Sequence, residues 1–144
     1  MAAQLKRHPG GKITAPNKIH YANGDITLTF SEPAKKGAMS AMSFMGCPDG
    51  SVCLWTQPNF QSGTLKLQTN SEWCPSDGTG MGRALDLNDY GLYGNVRSVD
   101  SENGYTAVGW WYAFGWSNVQ WTLHPYSDLA SVSANHIDHI DICP

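Results

Sequence analysis

The chain has 144 residues, a formal net charge of −3 and only 15% charged residues. This length fits one domain, or one domain with an arm, and the charge gives no reason to expect a nucleic acid or an anionic membrane as partner. No stretch is long and apolar enough to span a bilayer. Glycine and proline are frequent, with 15 and 8 residues, and no long apolar stripe repeats every 3.6 positions. This combination favours an all-β chain.

Charge is distributed unevenly along the chain. Residues 1–46 have six basic and two acidic side chains, a net charge of +4, whereas residues 47–144 have three basic and ten acidic ones, a net charge of −7. We interpret residues 1–46 as a basic N-terminal arm and residues 47–144 as an acidic domain. The arm could bind acidic partners, or it could be a pro-segment or a solvated tail, and its composition favours the tail.

The arm contains one clear structural pattern. Two basic clusters, a Gly-Gly pair and two prolines predict a flexible lead over residues 1–18. Residues 19–30 predict a β-hairpin because Asn23-Gly24 is a typical hairpin turn. After this turn, apolar residues alternate with threonine and give the second strand one apolar face; they are Ile26, Leu28 and Phe30.

A weak internal repeat begins after residue 46. Trp55, Phe60, Leu65 and Leu67 recur 56 residues later as Trp111, Trp116, Trp121 and Leu123. Each copy predicts a strand–corner–strand–strand unit that is too small to bury its own apolar face. Two such units should pack as two sheets over one core, with the three recurring tryptophans inside it.

The start of the first unit resembles a known family. Residues 47–55 read Cys-Pro-Asp-Gly-Ser-Val-Cys-Leu-Trp, and an Asn-Phe-x-x-Gly corner follows at residues 59–63. Together with residues 87–99, these motifs are similar to the βγ-crystallin superfamily and, within it, to the actinobacterial peptidase-inhibitor family. The resemblance covers roughly residues 47–143. It implies an all-β, two-Greek-key sandwich, and a secreted, non-enzymatic protein that blocks a protease cleft with a rigid loop.

The chain departs from the calcium signature of that superfamily, which is an Asn/Asp pair, two residues and then Ser/Thr-Ser. Arg97 stands where the first unit should have a small hydroxyl side chain, and residues 134–139 of the second unit lack the serine pair. Ca²⁺ needs about six to eight oxygen ligands. We therefore expect weak or absent calcium binding, and no other cofactor.

Four cysteines, with one pair at loop spacing, favour an oxidising compartment. The N-terminus lacks the apolar run of a signal peptide, so either the protein is not exported or the signal has been removed, and the cysteines favour a mature secreted chain. If Cys47 pairs with Cys53, then Cys74 has to pair with Cys143. That long loop would be worth about 4 kcal/mol in the chain-entropy model. In the family a second, local disulfide accompanies the inhibitory surface, so that role is not carried over to Cys74 and Cys143.

No common catalytic motif occurs, and we expect no enzyme. Residues Pro48, Asp49, Gly50 and Ser51 form the candidate inhibitory loop, because a disulfide-bounded turn can enter a cleft with little loss of entropy. The competing interpretation, a cap on the first strand, is the one that the sequence favours. The expected partner is an extracellular protease.

A second candidate surface lies in the aromatic run of the second unit. Alternation places Trp110, Tyr112 and Phe114 on one side of a strand, where they could bind a glycan or a protein partner. Core packing is the competing interpretation. The corresponding alternative functions are a carbohydrate-binding, cell-wall-binding or antimicrobial module, and a structural βγ-crystallin with degenerate calcium sites.

The last strand contains a dense polar run, His136, Asp138, His139 and Asp141. Imidazole and carboxylate are ordinary ligands of transition metals. In a strand, however, His136 and Asp138 share one face while His139 lies on the other. We therefore expect no metal site, but a solvated outer face beside three buried isoleucines, Ile137, Ile140 and Ile142.

Overall fold

Strands dominate the structure, a computed structural model that describes residues 1–30, 46–60, 65–70, 73, 84–113, 116–133 and 136–143. Two short helices lie within these residues, α1 (Ala2–Arg7) and α2 (Leu87–Tyr90). The strands, in chain order, are β1 (Lys12–Ala15), β2 (Lys18–Tyr21), β3 (Ile26–Phe30), β4 (Val52–Trp55), β5 (Leu65–Thr69), β6 (Leu85–Asp86), β7 (Ser98–Ser101), β8 (Thr106–Ala113), β9 (Trp116–Leu123), β10 (Asp128–Leu129) and β11 (His139–Cys143). The predicted all-β class is confirmed.

The described strands form two antiparallel sheets. The larger has the order β1-β2-β3-β5-β4-β7-β10 and the smaller the order β6-β11-β8-β9. The first unit consists of β4 to β7 and the second of β8 to β11. In each unit the first, second and fourth strands lie in one sheet, whereas the third strand, β6 or β10, lies in the other sheet. The predicted pair of units packed as two sheets is therefore confirmed. The exchange also shows how each small unit buries its apolar face, because the partner unit completes its sheet.

A row of aliphatic side chains crosses the larger sheet on its core side. Direct cross-strand neighbours on six consecutive strands are Ile19, Leu28, Leu67, Leu54, Val99 and Leu129. The first five are at most 1% exposed. They share one core cluster with residues of the smaller sheet, among them Trp121, Leu123, Ile140 and Ile142. Because Ile19 and Leu28 precede residue 31, the N-terminal strands contribute directly to the main core.

The predicted corner after β4 has an unusual backbone. Asn59 and Phe60 have φ angles of 56° and 54°, a left-handed conformation that is uncommon for residues other than glycine. The Phe60 ring meets the buried Trp55 edge-on, with centroids 5.3 Å apart. Ser98 Oγ accepts a hydrogen bond from Phe60 N (3.1 Å) and donates one to Gln57 O (2.7 Å). The corner therefore covers Trp55 and is tied to β7.

Residues 1–18 differ from the flexible lead that we predicted, since they include α1 and β1. The predicted hairpin corresponds to β2 and β3, but the turn between them is a 3₁₀ turn with positive φ at Ala22 (48°) and Gly24 (101°). β3 also pairs along its whole length with β5. Sheet pairing orders residues 18–30 because the apolar alternation of β2 and β3 matches that of β5. Residues 31–45 lie outside the described part, and a domain boundary at residue 46 stays a prediction.

Helix α1 is attached to α2 by polar and aromatic contacts. Gln4 is 5% exposed, and its Nε2 donates to the Asp89 carbonyl at 2.7 Å. The His8 ring lies 5.0 Å from the Tyr21 ring and 5.2 Å from the Tyr90 ring, and the two tyrosines meet edge-on at 5.6 Å. The N-terminal segment therefore buries Tyr90.

Tyr90→Phe is expected to make the protein more resistant to alkali. Burial, with a smaller contribution from Asp89, raises the pKa of the Tyr90 phenol from 10.0 to about 12. Because the folded pKa lies above the unfolded one, this contribution to stability is complete below pH 10 and is lost as the pH rises from 10 to 12. The loss is at most about 3 kcal/mol. Urea unfolding on both sides of this window measures it, with the exposed Tyr93→Phe as control. Equal alkaline losses in wild type and Tyr90→Phe would contradict the prediction.

Candidate functional site

The turn before β4 is closed by a disulfide and exposed at its tip. Cys47 and Cys53 are bonded, with Cα atoms 5.7 Å apart, which confirms the predicted disulfide. Pro48, Asp49 and Gly50 are exposed, whereas Ser51 is only 1% exposed. Three of the four predicted loop residues are therefore accessible, and Ser51 belongs to the base of the loop.

Hydrogen bonds hold this tip on an ordered base. Ser51 N donates to Pro48 O (3.1 Å), and Gly50 N donates to Glu102 O (2.6 Å). Ser51 also bonds Asn70 through its hydroxyl, at 2.6 Å. Gly50 has a φ of 78°, a conformation that glycine adopts at little cost. The tip is thus an ordered turn and not a free loop.

The structure describes only one of the two cysteines of the second predicted disulfide, Cys143. Cys74 lies outside the described residues, and none of the cysteines that are described is free, Cys143 included. Trp73 and Ile142 directly precede the two cysteines, and they form an isolated antiparallel bridge with both N–O distances at 3.0 Å. This bridge supports the predicted pairing of Cys74 with Cys143, which stays a prediction.

The predicted aromatic face lies on β8 next to the edge strand β9. Trp110 is half-buried and Tyr112 is 41% exposed, while Phe114 lies outside the described residues. Trp110 pairs with Val119, which is 51% exposed. Directly opposed residues project from the same side of a sheet. Trp110, Tyr112 and Val119 therefore share one partly exposed face.

The prediction that Trp116 belongs to the core is wrong, because this residue is 76% exposed. Trp121 is buried as predicted, and Trp111 is half-buried, stacked 4.7 Å from His136. The reason lies in strand length. β11 begins at His139, opposite Trp110, so the end of the β8–β9 hairpin projects beyond its neighbouring strand.

Two residues of the polar run near the C-terminus do not lie on the solvated face that we predicted, since Asp138 and Asp141 are only 7% and 6% exposed, whereas His136 is exposed as predicted. The Asp138 carboxylate accepts hydrogen bonds from Tyr112 N (3.1 and 3.2 Å) and lies 2.9 Å from His139 Nδ1. Asp138, the residue before β11, therefore extends the pairing between β8 and β11 by side-chain hydrogen bonds. Burial raises the pKa of Asp141. The predicted burial of the three isoleucines is confirmed.

In the described part of the chain, no group of three or more His, Cys, Asp or Glu side chains is placed to hold a metal ion. Arg97, the residue that departs from the calcium signature, donates from Nη1 to the carbonyls of Gly94 and Val96, both at 3.2 Å. Its positive charge is thus held in the loop where the calcium signature of the superfamily has a hydroxyl ligand. Weak or absent calcium binding stays a prediction.

A groove that our sequence analysis missed lies beside the disulfide loop. It encloses about 420 Å³, and the polar and aromatic residues that line it are Asp49, Asn70, Glu102, Asn103, Tyr105 and Tyr126. The groove combines the loop, the connection between the two units and the turn before β10. These residues are distant in sequence, and only the turn-forming Asn103-Gly104 pair gave any local signal.

No helix among the residues described is long and apolar enough to cross a membrane.

Comparison with known proteins bears on the fold alone. No family model matches the chain, and no curated protein matches it. One solved structure, described as "Evolution of the eye lens beta-gamma-crystallin domain fold", is similar with a TM-score of 0.50 at 18% identity over 67% of this chain and 89% of the other. The peptidase-inhibitor family is not confirmed. The exchange of third strands between two Greek-key units, the corner with positive φ and this likeness together show that the chain has a βγ-crystallin fold.

Proposed function

We propose that this is a secreted, non-enzymatic protein of the peptidase-inhibitor type, which blocks a protease cleft with the Cys47–Cys53 loop. The observation that carries the proposal is the exposed tip, residues 48–50, on an ordered, disulfide-closed base. A segment that is already ordered loses little conformational entropy when it binds. The inhibitor performs no chemistry, and occlusion of the cleft is the whole mechanism.

The surface beside the tip adds contact area. A standard protein interface buries about 800 Å² on each partner, more than three residues provide. Tyr126 is 73% exposed and shares the groove with Asp49 and Gly50. Exposed tyrosines often supply binding energy at the centre of an interface. We therefore include Tyr126 in the proposed contact surface.

The disulfide also supports the proposed extracellular location. Disulfides persist in oxidising environments and are rare in the reducing cytosol. For a separation of six residues, the chain-entropy model gives the crosslink about 2 kcal/mol of stability. A reducing compartment would remove both this stabilisation and the order of the tip.

Titration of proteases with the oxidised protein tests the proposal. A thermolysin-like metalloprotease is the first target, with subtilisin and papain alongside. The expected result is a sharp end point near equimolar ratio against one of them. Flat activity against all three, with the protein itself uncleaved, would overturn the inhibitor proposal for these protease classes.

Variants of the tip test the proposed contact. Asp49→Lys should weaken inhibition at least about tenfold, equivalent to about 1.4 kcal/mol, because it changes the size and charge of an exposed contact residue. Cys47→Ala/Cys53→Ala should weaken it further by releasing the tip. Lys6→Ala, an exposed charge on α1, is the control and should inhibit like wild type. Full inhibition by Asp49→Lys would show that this loop is not the contact.

A second candidate function, recognition of cell-wall glycans by the aromatic face, is favoured by the exposure of Tyr112 and Val119 beside Trp110. Chitin or peptidoglycan fragments should then quench tryptophan fluorescence in wild type, and Tyr112→Ala should weaken the change. Quenching that survives in Tyr112→Ala would exclude this face. A protein that neither inhibits nor binds glycans would fit the remaining alternative, a structural βγ-crystallin.

A further inference from the structure

The groove beside the disulfide loop has features of a small-molecule binding site, and two of its lining residues, Asp49 and Tyr126, also belong to the proposed protease contact. Its walls come from segments that bond one another through their backbones. Gly50 N donates to Glu102 O (2.6 Å), Glu102 N to Ser51 O (2.8 Å) and Tyr126 N to Asn103 O (3.1 Å). The groove is therefore preformed, and its volume of about 420 Å³ lies in the usual range of small-molecule sites.

Asn103 supplies a buried donor that lacks a partner. The residue is 6% exposed and lines the groove. Its Oδ1 accepts from Tyr105 N (2.9 Å) and Ser101 Oγ (3.0 Å). Because a backbone N–H can only donate, this bond identifies the oxygen and leaves Nδ2 as the other group. Nδ2 has no hydrogen-bond partner within the described structure. Buried polar groups are nearly always paired, so this donor requires an acceptor that the described residues do not supply.

Tyr126 supplies an exposed aromatic ring in an unusual conformation. It is 73% exposed and has a φ of 51°. A bulky residue rarely adopts this backbone, and such outliers concentrate at functional sites. The Tyr126 hydroxyl lies 3.7 Å from the place where a Cβ on Gly104 would be, so the side chain extends over this glycine. Exposure leaves most of the ring available as a platform.

The remaining groups define the chemistry of the ligand. Asp49 and Glu102 offer carboxylate acceptors, whereas Asn103 Nδ2 offers a donor. A ligand that pairs with the carboxylates and with the Asn103 amide must have donor and acceptor groups next to each other. It also needs an apolar face that packs on the Tyr126 ring. Sugar hydroxyls and the C–H face of a sugar ring meet this requirement. Among the described residues that line the groove none is basic, so an acidic sugar would be repelled.

We propose that the groove between the Cys47–Cys53 loop, the connection formed by residues 102–105 and Tyr126 binds a neutral or amino-substituted saccharide. The sugar ring stacks on Tyr126, its hydroxyl or amino groups donate to Asp49 and Glu102, and an oxygen accepts from Asn103 Nδ2. This site is distinct from the Trp110/Tyr112 face. It does not depend on protease inhibition, although it shares Asp49 and Tyr126 with the proposed protease contact.

Calorimetric titration with four trisaccharides tests the site: glucosamine, N-acetylglucosamine and glucose oligomers, with a galacturonic acid oligomer as the acidic probe. At least one of the first three should bind with Kd below about 10 mM, which is a binding free energy of about −2.7 kcal/mol. The acidic probe should bind more weakly. In ¹H–¹⁵N spectra the side-chain amide signal of Asn103 should shift on binding. No binding to the first three probes, or tighter binding of the acidic one, would overturn the proposal.

Substitutions of Tyr126 and Tyr112 test where the saccharide binds. Tyr126→Gly should lose at least tenfold in affinity while its melting temperature is unchanged or raised, because glycine relieves the left-handed backbone. Glu102→Gln should weaken the amino sugar more than the neutral one. Tyr112→Ala, on the other aromatic face, should bind like wild type. Loss of binding in Tyr112→Ala, or full binding in Tyr126→Gly, would place the sugar elsewhere and overturn the proposal.

Discussion

Leu28→Ala is expected to destabilise the whole protein by about 2–5 kcal/mol, the usual cost of removing a fully buried leucine side chain. Leu28 is 0% exposed and lies in β3, before residue 31. It opposes Leu67 of β5, which in turn opposes Leu54 of β4. Because these side chains form one row, a cavity at Leu28 removes contacts from strands that precede residues 31–45 in the sequence and from strands that follow them. Urea unfolding, followed by tryptophan fluorescence and by circular dichroism, measures the loss.

Two comparison variants make this experiment decisive. Leu54→Ala, at 1% exposure in the same row, should cost a similar amount and keep one coincident transition. Thr27→Ala, half-buried beside Leu28, should cost much less because it opens no core cavity. If Leu28→Ala shifted only a minor, separate transition, residues 1–30 would be an independent arm and the shared core would be wrong.

Gly109→Ala is expected to destabilise the protein by about 1–3 kcal/mol, as overpacking of a core usually does. Gly109 is buried in β8, opposite Trp121. A Cβ at this position would lie 2.6 Å from Trp121 Cζ2 and 2.7 Å from Trp121 Nε1. The indole is 8% exposed and cannot move aside without displacing the core. Thermal unfolding should show a lower melting temperature, and near-ultraviolet circular dichroism should show a changed tryptophan environment.

Gly104→Ala is the matched control for this substitution. Its Cβ would meet only the Tyr126 hydroxyl, at 3.7 Å, which is ordinary van der Waals contact. This variant should melt close to wild type. Equal melting temperatures for Gly109→Ala and Gly104→Ala would show that the close approach of Trp121 to the β8 backbone does not limit stability.

The sequence predicted those features whose cause is local. The all-β class follows from period-two alternation, as in Ile26, Leu28 and Phe30, and the Cys47–Cys53 disulfide follows from two cysteines that bracket a turn. The corner at Asn59-Phe60 and the repeat that begins at Trp55 were visible because the same few residue types recur at fixed offsets. The resemblance to the βγ-crystallin superfamily added the correct fold.

Local patterns misled where exposure depends on the ends of neighbouring strands. Trp116 occupies a repeat position that suggested the core, yet β11 stops short of it and leaves it 76% exposed. Asp138 and Asp141 looked like solvated residues of an outer strand, but they are buried, and the Asp138 carboxylate accepts hydrogen bonds from Tyr112 N of β8. Residues 1–18 looked like a flexible lead because their charges gave no sign of the contacts that α1 makes with α2.

Residues close together in the chain suffice to predict the two strand–corner–strand–strand units, the turn that the disulfide closes and the apolar face of each central strand. Only the folded chain shows that the third strands are exchanged, that the N-terminal hairpin shares the main core and that Asp49, Asn103 and Tyr126 line one groove. Those arrangements depend on the pairing of segments far apart in sequence. Such pairing is set by the burial of the whole apolar surface and not by any local pattern.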